Sequence, residues 1–479
     1  MQRLRDIAVR RLATMAPRYL PFADVATQDV PLSRLLRLSL FQITVGMALV
    51  LLVGTLNRVM IVELAVPATL VSGMLAIPLL FAPMRMLIGF RSDTHRSALG
   101  LRRAPYIWKG TLYQFGGFAI MPFALLVLSG YGEAVDAPRW IGLSAAALAF
   151  LLVGAGVHMV QTVGLALATD LVQDEDHPKV VGLMYVMLLA GMVISALIYG
   201  ALLADYTPGR LIQVIQGSAV VTVSLNLAAL WKQEARDRNR AQQMLTAQHE
   251  TFSVAWHSLM QRPGIPALMV LIGLGTFGFG MADVLLEPYG GQTLGFSVAQ
   301  TTLLTSILAG GTLLGFAVAA RTLSMGRAPI SLAATGAGIG VPGFLAIILS
   351  SLWGGPYVFV AGTLAVGIGA GLFGHATLTA TIRKAPKGRI GLSLGAWGAV
   401  QATCAGIGVL LAGLIRDALV ATSEVSGHAT ETPYNIVFGI EAVFLIAAVI
   451  VAVQFSQRRH SSTRTSVGPN EQPNPVEVS

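Results

Sequence analysis

Charge is scarce in this chain. Only 11% of its 479 residues are Asp, Glu, Lys or Arg, against about 25% in an ordinary soluble domain. Cysteine is nearly absent: the single Cys404 excludes a disulfide scaffold and paired-thiol chemistry. There is no G-x-x-x-x-G-K-[ST] loop for ATP, no H-E-x-x-H zinc motif and no arrangement resembling a catalytic triad. The glycine-rich run Gly367–Gly374 has a superficial dinucleotide-loop spacing, but it lies inside a long apolar stretch and is discarded. No enzymatic activity is expected. What is present is apolar. Hydrophobic residues make up 54% of the chain, glycine contributes 52 residues, and mean hydropathy is +0.70. Soluble, disordered and fibrous classes are thereby excluded, leaving a polytopic membrane protein.

A bilayer crossing takes about 20 apolar residues in a helix. Twelve stretches qualify: 37–60, 63–84, 107–130, 140–165, 180–203, 209–231, 266–288, 296–320, 328–350, 357–382, 390–415 and 434–455. They are continuous and too long for barrel strands of about 10 alternating residues, so an all-α fold is expected. With an even number of spans, 28 of the 32 Lys and Arg fall on the side that carries both termini, and only Arg58, Arg139, Arg210 and Arg416 on the other. That asymmetry predicts cytoplasmic termini. It also reads the net charge of +9 as topogenic, with no nucleic-acid partner. No cleavable signal peptide is expected, because the first apolar run is too long for one.

The longest internal polar stretch divides six spans from six. The expected organisation is a basic N-terminal segment 1–36, a six-helix half 37–231, a linker 232–265, a second half 266–455 and a disordered tail 456–479. The N-terminal segment reads either as a surface amphipathic stretch or as a topogenic leader. The halves echo one another. GFRSDTHRSALGLRRAP (Gly89–Pro105) matches GFAVAARTLSMGRAP (Gly315–Pro329); GAGVH at Gly154–His158 matches GAGLFGH at Gly369–His375; PKVVGL from Pro178 matches PKGRIGL from Pro386. Twelve spans in two six-helix repeats describe the major-facilitator architecture. The loop residues Gly89, Asp93, Gly100, Arg102 and Arg103 resemble that superfamily's Gly-x-x-x-Asp signature with its following basic residues.

Three further strings are more specific: GTLNRVMIVEL (Gly54–Leu64), RSDTHRSALGLRRAPYIW (Arg91–Trp108) and DVLLEPYGGQ (Asp283–Gln292). With them the chain, from about Leu20 to Gln454, resembles the bacteriochlorophyll-delivery branch of the major facilitators, the PucC/LhaA-type light-harvesting assembly proteins of purple phototrophs. The resemblance implies residence in a bacterial inner, intracytoplasmic photosynthetic membrane. It implies a role in handing bacteriochlorophyll to antenna polypeptides or chaperoning them. The reaction-centre core, pigment-synthesis enzymes and membrane lipid are the further partners, and carotenoid a further ligand, to be considered.

Ionisable residues at membrane depth are costly and therefore functional suspects. Here they are Arg58, Glu63, His158, Asp283, Glu287, His375 and Glu441. Arg58 and Glu63, with Asp283 and Glu287 on one helical face, are expected to cluster at the ends of the first and seventh spans. They would act either as a lock between the halves or as a contact for a ligand. His158 and His375 stand on glycine-rich approaches, Gly154 and Gly156 in one case, Gly371 and Gly374 in the other. An imidazole can take the axial position on a chlorin magnesium, and small neighbours leave a slot for the ring. The same glycines also suit tight helix packing, as do Gly311-x-x-x-Gly315, Gly336-x-x-x-Gly340, Gly367-x-x-x-Gly371 and Gly391-x-x-x-Gly395. The acidic group Asp170, Asp174, Glu175 and Asp176 is expected to face the arginines of the loop after the second span. The competing function is a secondary transporter of a small organic solute. It is disfavoured here because the carboxylates are expected at the span ends and not near the midplane.

Overall fold

The structure, a computed structural model, describes residues 30–80, 88, 92, 101, 103–130, 136–173, 176–234, 252–351, 355–385, 390–426 and 431–465. The loop signature residues Gly89, Asp93, Gly100 and Arg102, and the acidic residues Asp174 and Glu175, lie outside this set. Among the described residues there is no strand. Eleven helices are long and apolar enough to cross a membrane, and a twelfth, shorter apolar helix completes the expected number.

In chain order, α1 runs over Leu32–Glu63, α2 over Ala68–Leu80, α3 over Ala104–Ser129 and α4 over Arg139–Asp170. The first half closes with α5 (His177–Leu202) and α6 (Pro208–Leu230). A short helix, Phe252–Met260, stands in the linker. The second half comprises α7 (Ile265–Gln292), α8 (Val298–Ser324), α9 (Pro329–Leu349), α10 (Gly355–Lys384), α11 (Ile390–Ser426) and α12 (Thr432–Thr465). Local chemistry sets several starts. Ser297 and Gln300 form a reciprocal capping box at α8, and Thr207 caps α6 ahead of Pro208. Below, the proximal end of the bundle is the one that carries both chain termini; the distal end is opposite.

Helix ends differ from the hydropathy spans. Glu63 closes α1 and does not open α2. The last helix continues to Thr465, so disorder from residue 456 is corrected. Hydropathy marks the hydrocarbon layer, whereas a helix continues until a breaker stops it, and neither Gly nor Pro occurs between Phe455 and Gly468. For the same reason α11 reaches Ser426, just before Gly427.

The packing repeats with a period of six helices. The pairs α3–α4, α3–α6, α2–α4 and α1–α5 of the first half recur as α9–α10, α9–α12, α8–α10 and α7–α11 in the second. The halves meet through α2 against α11 and α5 against α8, a pair of contacts that exchange under the same operation. This is two parallel repeats about an axis along the membrane normal. Glycines make the seams. A Cβ on Gly315 would run into the Ile368 carbonyl, and one on Gly371 into the Thr312 carbonyl. Backbones therefore touch along α8 and α10. Three of the four spaced glycine pairs pack inside the second half in this way. Nothing lies within 4 Å of a Cβ on Gly395.

A Gly315→Leu substitution should therefore destabilise the detergent-solubilised protein by at least the overpacking cost of about 1–3 kcal/mol. Gly338→Ala, which meets nothing within 4 Å, should leave the thermal midpoint unchanged. Melting curves of the two variants check both expectations.

Candidate functional site

Two groups of polar residues lie between the halves. The first is at the distal end. There α1 abandons regular α geometry and winds as π-helix over Val50–Leu56 and again over Val59–Glu63. Such wider turns recur at functional sites. Arg58, only 3% exposed, donates to the Glu63 carboxylate. It also donates across the interface to the Phe296 carbonyl at 3.0 Å. Gly291 of α7 admits the guanidinium, since a Cβ there would stand 3.1 Å from its nitrogens. Further bonds join the same surfaces. Asn57 donates to the Val284 carbonyl at 2.9 Å, and the hydroxyls of Thr55 and Thr302 meet at 3.1 Å. Asp417 of α11 accepts from the Thr69 amide at 2.7 Å, capping the start of α2 from the other half. Of the residues singled out from the sequence, Arg58 and Glu63 meet here. Glu287 lies against Gly54 of α1 and takes its hydrogen bond from Thr305 of its own half, whereas Asp283 lines a separate cavity.

Sequence reading missed three members of this region. Tyr206, between α5 and α6, lies beside the Arg58–Glu63 pair; burial, and secondarily the Glu63 charge, push its hydroxyl up to about 12, against an opposing effect of Arg58. Arg416 bonds Asp417 and Gln292, both at 2.8 Å, and Tyr434 donates to the same Gln292 side chain at 2.6 Å. Arg139 reaches the carbonyls of Leu64 and Ala65. A lone arginine near a span end was the only signal for Arg416 and Arg139, and Tyr206 left none.

The second group is at mid-depth. A cavity of about 80 Å³ is walled by α1 (Ala48 to Val53), α2 (Met74 to Leu79) and Val409 of α11, with His158 of α4 and Asp283 of α7 as its ionisable lining. Asp283 is exposed, although it lies well inside its helix. The expectation that carboxylates keep to the span ends is therefore corrected for Asp283. The helix breaks just before it, between Gly280 and Ala282. The amide freed at Ala282 donates to Glu441 of α12, a wholly buried carboxylate. An amide in hydrocarbon must have an acceptor, and Glu441 supplies it.

The two histidines occupy equivalent seams but unlike surroundings. Gly154, four residues before His158, faces Pro78 of α2, and Gly371, four before His375, faces Thr312 of α8. His375 is packed under Phe316, ring centres 4.1 Å apart, and its Nδ1 is buried with no hydrogen-bond partner among the described residues. Gly156 turns the other way, into Gly110 and Gln114 of α3. It forms a packing seam and no slot beside His158. Gly374 meets nothing within 4 Å. Ligand pockets measure roughly 300–1,000 Å³, so the residues present at His158, around about 80 Å³, disagree with a chlorin slot. At His375 the tilted Phe316 ring stands against the imidazole.

At the proximal end Arg103 pairs with Asp170 at 3.1 Å, as expected of the basic loop and the acidic group after α4. Asp176 pairs with Lys179 at 3.1 Å. Glu234, at the start of the linker, accepts from the Arg103 and Ala104 amides at 2.8–3.0 Å and so caps α3.

Fold and site together define an integral membrane protein of the major-facilitator architecture. Its path matches a crystal structure of a bacterial homolog to the human lysosomal transporter Spinster, at TM-score 0.65 and 16% identity, over 89% of this chain and 96% of that one. The chain belongs to the PUCC protein family, whose match covers residues 55–460. It is 70% identical to Protein PucC of Rhodobacter capsulatus over 95% of this chain and 99% of that protein. It is 61% identical to Protein PucC of Rhodovulum sulfidophilum over 91% and 96% respectively.

Glu441→Leu should strand the Ala282 amide and cost about 1–3 kcal/mol of stability. Glu441→Gln, which keeps an acceptor oxygen, should stay close to the parent. Unfolding of both variants followed by circular dichroism checks the pair.

Proposed function

We propose that the chain is an assembly factor for light-harvesting complexes, which chaperones the single-span antenna polypeptides and handles or delivers bacteriochlorophyll to them. Membership of the PUCC family, at 70% identity to a PucC protein over nearly the whole length, carries the reading. It supports a role related to photosynthetic complexes. On this reading the protein catalyses no reaction, sits in the intracytoplasmic membrane with both termini cytoplasmic, and works beside the antenna polypeptides. On the same reading the reaction-centre core and pigment-synthesis enzymes are its further neighbours there.

Geometry supports lateral over internal handling. The cavity at His158 is about 80 Å³, whereas the groove between α9 and α10 offers about 470 Å³. That groove is lined by Gly338, Pro342, Ala346, Tyr357, Ala361 and Ala365. Its volume is within the range of ligand pockets, and its small residues suit a close apolar surface.

A secondary transporter is the alternative, favoured by the broken α7 and the ionisable mid-depth cavity. The test is purification from the native membrane in mild detergent, with a near-infrared spectrum and a search for co-purifying antenna polypeptides. The proposal expects shifted bacteriochlorophyll bands, bound antenna polypeptides, or both, and a large loss of them in Gly338→Trp. A colourless, monodisperse protein free of antenna polypeptides overturns it.

A further inference from the structure

The mid-depth cavity is unused by the reading above, and it has three features that belong together. It lies on the boundary between the halves, since α1, α2 and α4 form one wall and α7 and α11 the other. Its lining is apolar except for one acid and one base, Asp283 from the second half and His158 from the first. And both equivalent first helices depart from regular geometry at this level. The π-helical stretch of α1 begins at Val50, and α7 breaks before Ala282. Irregular backbone at membrane depth is tolerated where it lines a cavity, and discontinuous helices mark substrate and ion sites in several transporter folds.

The chemistry narrows the occupant. A dehydrated metal ion needs several oxygen or nitrogen ligands, and among the described residues no group of three or more His, Cys, Asp and Glu side chains is arranged to hold one. An organic solute needs several times the volume. Water occupies about 30 Å³, so 80 Å³ holds a few waters or a hydrated proton. An imidazole exchanges such a proton near neutral pH, and a carboxyl lining the same cavity offers it a partner.

We infer that the Asp283–His158 cavity is a proton-binding site shared between the two halves, and that its occupancy sets how tightly the halves close on each other. With Asp283 ionised and His158 protonated, opposite charges draw α4 and α7 together. With one proton more or fewer, that attraction is lost. The Glu441 carboxylate holds the α7 break in place, so Asp283 stays aimed at the cavity in both states. Among the described residues, the other titratable or charged groups that face α7 include Arg58 of α1 with its partner Glu63, Lys384 of α10 near Gly264, Cys404 and Arg416 of α11 with Asp417 beside the arginine, and Tyr434 and Glu441 of α12; α8 presents Thr305. From α1 and α2 the cavity receives only apolar side chains.

The inference does not depend on pigment or antenna binding, and its test uses the purified full-length protein alone. Infrared difference spectra between pH 5 and pH 8 report protonated carboxyls directly. Closure is reported by a cysteine placed between the halves, Ser72→Cys in a Cys404→Ala background, because Ser72 of α2 faces Gly413 of α11; its maleimide labelling rate is followed over the same pH range. The expected result is a carboxyl band in the parent that is lost in Asp283→Asn and shifted in His158→Gln. A pH step in labelling, beyond the thiol's own titration seen in Asp283→Asn, should be present in the parent alone. If Asp283→Asn does not fold, His158→Gln decides by the shift of the band. An unchanged band and labelling profile in either folded variant overturns the inference.

Discussion

A peptide amide set free inside a membrane must find an acceptor, and water cannot provide one. That constraint organises the centre of this molecule. The break in α7 releases the Ala282 amide, and Glu441 of α12 accepts from it. A carboxylate in hydrocarbon is otherwise costly, yet here it makes an irregular helix tenable. The irregularity in turn lets Asp283 face a cavity, while Glu287, one turn on, bonds Thr305 of the neighbouring helix. Both carboxylates lie beyond the break, on the regular segment Ala282–Gln292, and one turn along it sets them against different neighbours.

Around this centre the rest is close packing. The seams between α3 and α4 and between α8 and α10 rest on glycines whose missing side chains admit a neighbour's backbone. Between the halves the distal contacts are of another kind. Side chains there bond to backbone groups of the opposite half: Arg58 to the Phe296 carbonyl, Asn57 to that of Val284, and Asp417 to the Thr69 amide. Bonds to backbone depend on helix position more than on the partner's identity, so they hold one arrangement of the halves without requiring matched side chains.

The fold was largely legible in the sequence. Apolar runs and the distribution of arginine and lysine report on the membrane directly, and the repeat followed from three short echoes. Helix ends were less legible, because Arg458 and Arg459 end an apolar run without ending a helix. The site was legible in its residues and not in its geometry. Asp283 and Glu287 were singled out, but their i, i+4 spacing gave no sign of the break just before them. The glycines near the histidines were read as one slot, although two residues correspond to about 200° around a helix. That rotation carries Gly156 to the α3 side while Gly154 stays with His158. Phe316, which covers His375, is remote in sequence and left no local trace.

The π-helical stretch of α1 bears on how this chain tolerates change in length. A π turn holds more residues than an α turn, so Val50–Leu56 behaves as a local insertion absorbed without breaking the helix. Deleting one residue there would let the segment rewind as ordinary helix with the residues beyond it close to their present faces, whereas a deletion in the regular Leu40–Leu49 stretch would rotate them by about 100°. In that second case Thr55, Asn57 and Arg58 would miss Thr302, Val284 and Phe296 together. A lost codon is therefore better tolerated within the π-helical stretch than before it.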